Sequence, residues 1–238
     1  MADPYVLLWL EAPLQAWGYD SKFGRRDTLN FPTKSGLLGL ICCALGSGGE
    51  QRSLLAEFAD LDLQVISYAR KTKDGRLLPQ EPLLRDFHMV GSGYDTSDPW
   101  QNLLVPKTSG GKKAVGGGTK ITYRYYLQDR AFAVAFQVPE HLLEMLIHHL
   151  QNPVWELYLG RKSCAPTEMI FQGKFVTPQD AFDVATQIAE RKSRVPDFRV
   201  FEGEHEGDEV LTLNDVPLQF GADKRYRDRR VTIQKMDE

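Results

Sequence analysis

The order in which apolar periodicities follow one another constrains this chain most. Residues 5–10 (YVLLWL) are a nearly continuous apolar run with β-branched and aromatic members, the pattern of a strand covered on both faces. A polar, basic connection leads into FPTKSGLLGLICCALGSGG. There Leu37, Leu38, Ile41, Cys42 and Leu45 recur at helical spacing, Thr33 or Ser35 can cap the start, and Gly46 can stop the end. Residues 61–70 alternate as a strand. Residues 121–127 and 130–138 each alternate too, and Gln128 with Asp129 between them predicts a hairpin turn. Leu142, Leu143, Leu146, Ile147 and Leu150 mark an amphipathic helix closed by Asn152 and Pro153, and residues 169–176 read as a strand. Taking the strands at 5–10, 61–70, 130–138 and 169–176 with the two helices gives strand, helix, strand, strand, helix, strand, which predicts an α+β chain of the split βαβ, ferredoxin-like type (βαββαβ) that RNA-recognition modules also use. A further helix, with Thr177 as cap and Pro178 at its first position, and short strands from Phe198, Val210 and Tyr226 finish the chain.

With 238 residues and 42% hydrophobic content, the chain can close a core without disulfide or metal staples. No apolar run approaches the roughly 18 residues of a membrane helix. The opening segment lacks a basic region and is interrupted by Glu11 and Pro13, which argues against a secretory signal and predicts a cytoplasmic protein. Cys42, Cys43 and Cys164 are odd in number and show no CxxC spacing, so neither a disulfide framework nor a zinc site is expected, and no cofactor motif is present.

Net charge is −3, which by itself does not point to nucleic acid, but the charges are segregated. Lys22, Arg25, Arg26 and Lys34 stand against Asp27. Lys107, Lys112, Lys113, Lys120 and Arg124 are interleaved with glycines and no acid. Lys224, Arg225, Arg227, Arg229, Arg230 and Lys235 face only Asp228. Opposite in sign, residues 202–209 carry five acids and read as a solvated hairpin. Separated patches under a near-neutral total suit a polyanion on one face and protein partners elsewhere. Residues 91–118, rich in Gly, Ser, Asp, Pro and Lys, far exceed an ordinary connection of about 4–6 residues, which marks them as functional or disordered.

Two stretches carry candidate chemistry. Pro32, Thr33, Lys34, Ser35 and Gly36 follow the basic arm at a helix start, where free N–H groups and the helix dipole favour a phosphodiester. Gly36 and Gly39, poor helix formers at about 1 kcal/mol each relative to Ala, suggest close approach by a neighbouring strand or a ligand. In LGRKSCAP, Arg161 and Lys162 follow a glycine, with Trp155 and Tyr158 just before it; aromatics beside cations stack and neutralise single-stranded RNA, although a pair such as Trp155 and Tyr158 at i and i+3 more often belongs to a core. His88, beside Arg85 and Asp86, is either a general base or a surface residue contacting phosphate, and no second catalytic partner is evident. These residues support an RNA-binding module that uses Lys22, Arg25, Arg26, Lys34, Ser35, Gly36, Arg85, His88, Lys107, Lys112, Lys113, Arg161 and Lys162 without turnover. The alternatives are a metal-independent endoribonuclease in which His88 or Tyr94 activates a 2′-hydroxyl, and an assembly subunit whose cationic loop binds an acidic protein.

PLQAWG (residues 13–18), FPTKSGLLGLICCALG (31–46), RDFH (85–88) and YLGRKSC (158–164) together resemble, in the same order, motifs of the fifth Cas family within the repeat-associated RAMP superfamily. The resemblance implies an RRM-like core at residues 1–82 and 121–190, a thumb hairpin inserted at 83–120 and a small C-terminal β extension at 191–238. It also implies a non-catalytic subunit that caps the 5′ handle of CRISPR RNA in a type I-E Cascade complex. The implied partners are the CasC backbone, CasA large and CasB small subunits, with target DNA reached only indirectly. In a sister subtype the equivalent subunit cuts the repeat RNA without metal.

Overall fold

Burial on both faces makes β1 (Tyr5–Gln15) the centre of the molecule: Val6, Leu8 and Leu10 enter one core while Leu7 and Trp9 enter another. The computed structural model describes residues 3–19, 21, 24–72, 74, 76–90, 97–100, 107–112 and 120–236. Among these, β1 is flanked antiparallel by β5 (Lys120–Gln137) and β6 (Phe171–Phe175). Beyond β5 follow β3 (Leu63–Arg70), β7 (Arg194–Glu202), β9 (Arg225–Lys235) and β8 (Glu209–Gln219), so one antiparallel sheet runs β6-β1-β5-β3-β7-β9-β8. Two shorter strands, β2 (Arg25–Arg26, parallel) and β4 (Leu84–Val90, antiparallel), pair with the far end of β5.

Four α-helices lie wholly within the described residues. On one face lie α1 (Lys34–Leu45), α2 (Arg52–Phe58) and α3 (Leu143–Gln151), packed on Leu8, Leu10, Phe132 and Phe136. On the other lies α4 (Pro178–Arg191), whose Ala181, Phe182, Ala185 and Ile188 cover Leu7, Trp9 and the small residues Ala131, Ala133 and Ala135. Alanines at alternate positions of β5 let this helix sit close to the sheet. The end signals act as expected: the Thr33 hydroxyl accepts from Gly36 N–H, Gly46 closes α1 at φ 66°, and the Thr177 hydroxyl accepts from Asp180 N–H. No described helix is long and apolar enough to cross a membrane.

The structure corrects several readings. Gln128 and Asp129 do not turn the chain. Asp129 takes φ 49°, yet β5 continues through it, with Gln128 opposite Leu14 and Arg130 opposite Ala12 on β1. The buried Arg194 holds the bend in place by donating to both the carbonyl and the carboxylate of Asp129. The C-terminal strands are long, not short, and they extend the main sheet. Helix α2 has no side-chain cap and carried no local signal. The acidic turn is not wholly solvated, because Glu202 accepts from Lys34 and Arg229.

Candidate nucleic-acid interface

Residues 120–126 of β5 run past the main sheet and form a small sheet with β2 and β4. Alternation sorts its side chains onto two faces. On one, Arg85 lies opposite Tyr125, Phe87 opposite Tyr123 and Met89 opposite Ile121, with Arg25 opposite Tyr123 on the other edge. The Arg85 guanidinium sits 5.6 Å from the Tyr123 ring centroid and that of Arg25 4.9 Å from the Tyr125 ring, while the Phe87 and Tyr123 rings are 5.7 Å apart. Phe87 and Met89 are 51% and 58% exposed, an unusual cost for large apolar groups unless something covers them. Arg25 also pairs with Asp27 at 2.7 Å. Exposed rings with guanidinium groups laid on them form a surface able to stack bases and neutralise phosphates.

The opposite face carries Asp86, His88, Arg124 and Tyr126. It looks across a cleft of about 540 Å³ to Tyr158, Arg161 and Lys162. His88 Nε2 is hydrogen-bonded to the Asp86 carboxylate, both side chains being part exposed. The loop that brings Arg161 and Lys162 here is fixed by glycine. Ala16 N–H donates to Leu159 O, and at Gly160 (φ 88°) a Cβ would lie 1.6 Å from the Ala16 carbonyl oxygen, so no other residue fits. Arg161 then donates to the carbonyls of Tyr125 and Arg26 and lies 4.5 Å from the centroid of the Tyr126 ring. It braces β2 against β5; of the pair, Lys162 is the exposed cation.

The helix-start reading needs correction. Lys34 is 1% exposed, and its ammonium donates to Ala59 O, Leu61 O and Glu202, which leaves nothing to offer a phosphate. Burial pushes its pKa below the ordinary lysine value, with Glu202 opposing only in part. The anion that the α1 N-terminus attracts belongs to the protein itself: Asp215, from β8, accepts Lys34 N–H at 2.8 Å and is held in turn by Arg229 at 2.7 and 2.9 Å. Gly36 is required by packing, since a Cβ there would meet Trp17 at 2.8 Å, and the Ser35 hydroxyl lies 3.4 Å from that of Thr33. The C-terminal basic cluster is likewise largely paired internally: Arg227 with Asp60, Arg229 with Asp215 and Glu202, and Arg230 with Glu204.

The expected residues therefore do not form one patch. Arg25 and Arg85 share one face of the small sheet, Arg26, His88, Arg161 and Lys162 belong to the other, and Lys34, Ser35 and Gly36 stand apart. Lys107 and Lys112 are exposed on a tight turn closed by Thr108 N–H to Lys112 O, while Lys22 and Lys113 lie outside the described residues, as does Tyr94. Sequence reading missed Phe87, Met89, Tyr123 and Tyr125, although their every-second-residue spacing was the available signal. The three cysteines are buried free thiols, and burial raises the Cys42 pKa to about 11. No cluster of His, Cys, Asp and Glu suited to a metal ion occurs among the described residues.

Comparison with known structures places this mixed α/β architecture among CRISPR proteins. A chain of a solved "CRISPR RNA-guided surveillance complex" superposes with a TM-score of 0.65 at 26% identity, covering 97% of this chain and 89% of that one. A second, titled "Crystal structure of Cas protein", gives 0.57 at 25%, covering 98% and 94%. The family model described as CRISPR-associated protein (Cas_Cas5) matches residues 5–232, and the CRISPR system Cascade subunit CasD of Escherichia coli (strain K12) is 32% identical over 173 residues, 71% of this chain and 70% of that protein. The chain belongs to the Cas5 family of CRISPR-associated proteins.

Proposed function

We propose that this chain is a non-catalytic CRISPR RNA-binding subunit that caps the 5′ handle of the guide RNA in a cytoplasmic type I-E Cascade complex. Its neighbours there would be the CasC backbone, CasA and CasB. The observation that carries the reading is the exposed face on which Arg25 and Arg85 lie over Tyr125 and Tyr123 beside Phe87. Such a face binds single-stranded RNA without chemistry. The Escherichia coli relative, itself a Cascade subunit, supports the assembly. The antiparallel order β6-β1-β5-β3, with α1 and α3 on one face, supports a ferredoxin-like core at residues 1–82 and 121–190. The projecting small sheet supports a thumb at 83–120, and β7 to β9 support a C-terminal β extension at 191–238.

Binding is favoured over turnover because Arg161 is committed to two backbone carbonyls and cannot follow a charge developing on a phosphate. The His88–Asp86 pair beside Lys162 is the observation that favours the alternative, a metal-independent endoribonuclease. Incubating the purified chain with end-labelled repeat RNA in EDTA separates the two. The account expects bound, full-length RNA, and cleavage that disappears in His88→Ala would overturn it.

A further inference from the structure

Gly39 sits in the second turn of α1 and, its own helix backbone aside, nothing lies within 4 Å of where its Cβ would be, so, unlike Gly36, no packing contact explains it. Glycine is the poorest helix former after proline, and an interior one that no neighbour crowds leaves space for something absent from the chain. The space over it is a cleft of about 490 Å³, a size typical of small-ligand sites, lined by Trp155 and Tyr158 from the loop after α3 and by Phe220, Lys224 and Tyr226 from the β8–β9 turn and the start of β9. Its lining contains one lysine and no carboxylate, and Lys224 has no ion-pair partner among the described residues.

Both walls are held in place. Val154 N–H donates to Ala44 O and the Cys43 thiol to Glu156 O at 3.2 Å, which pins the loop carrying Trp155 to the end of α1. Phe220 N–H donates to Glu50 O, which pins the β8–β9 turn. Trp155 is nonetheless 49% exposed. A half-open indole on a pinned loop, lining one cleft with bare helix backbone and an unpaired lysine, matches the chemistry of an unstacked nucleotide.

We propose that this cleft is a nucleotide pocket, in which one unstacked RNA base lies against Trp155 over Gly39 with its phosphodiester toward Lys224. The inference rests on the RNA-binding reading above and adds a second contact, separate from the small sheet. Short fluorescein-labelled oligo(A) and oligo(U) are titrated into the full chain and into Gly39→Leu, Trp155→Ala and Lys224→Gln, with melting temperatures measured in parallel. Gly39→Leu starts from a Cβ that meets no neighbouring atom and projects into the cleft, so it should melt at or above the parent while binding RNA about tenfold more weakly; Trp155→Ala should weaken binding by a similar factor. Lys224→Gln should lower the salt slope of binding by about 0.7. Gly39→Leu and Trp155→Ala binding as tightly as the parent would overturn the pocket, as would a Gly39→Leu chain that melts well below it. A parent chain that binds neither RNA would instead overturn the RNA-binding reading itself, and the pocket with it.

Discussion

Asp215→Ala should loosen the molecule at the junction between helix and C-terminal strands. The Asp215 carboxylate is 2% exposed and accepts three hydrogen bonds: from Lys34 N–H at the start of α1 and from Arg229 Nε and Nη2. Without it, a buried guanidinium keeps only Glu202 at 2.8 Å, and the helix loses the anion at its positive end. Removing one partner of a buried pair costs about 3–5 kcal/mol; because Glu202 remains, the lower end applies, about 3 kcal/mol, with about 1 kcal/mol more for the lost N-terminal partner. At about 2–4 °C per kcal/mol for a chain of this size, melting should fall by about 8–16 °C in scanning calorimetry. Replacing the pair together, Asp215→Leu with Arg229→Met, removes the stranded charge and should recover most of that loss. A single variant melting within about 2 °C of the parent would refute the reasoning, because the cluster would then be hydrated and not buried.

Gly160→Ala should be more damaging than its size suggests: the added methyl meets the Ala16 carbonyl, and the soluble yield and melting temperature of the variant measure the loss, expected at about 3 kcal/mol or more. Burial raises the pKa of Glu11, but Trp9, Lys192 and Arg194 outweigh it and hold the carboxyl below its ordinary value. Its stabilisation is therefore complete above the unfolded pKa of about 4.3 and lost as pH falls through the lower folded value, so Glu11→Gln should flatten the acid side of a stability–pH curve recorded by urea titration. Arg25→Ala with Arg85→Ala should reduce the salt slope of RNA binding by about 1.4, whereas Lys34→Met should leave it unchanged, because that ammonium faces inward.

What could be read from sequence was local. Thr33 and Gly46 bracket α1, and Thr177 with Pro178 opens α4, because caps act through backbone groups within a few residues. Asp129 shows the limit: a residue at positive φ between two alternating runs looks like a hairpin turn until β1 is known to pair on both sides of it. Lys34 shows it more sharply. Its neighbours in sequence are those of a phosphate site, but the groups that claim it, Glu202 and Asp215, come from strands more than 160 residues away. At the small sheet the cations Arg25 and Arg85 were identified but not the rings beneath them, since only the pairing of β4 with β5 brings Arg85 over Tyr123.

The most direct test of the central claim is a nuclease footprint of repeat RNA bound to the purified chain, labelled at either end. The account predicts protection confined to the 5′-terminal segment, RNA recovered at full length, and loss of protection in the Arg25→Ala, Arg85→Ala double variant. Shortened RNA, protection centred away from the 5′ end, or a footprint indifferent to both arginines would contradict it.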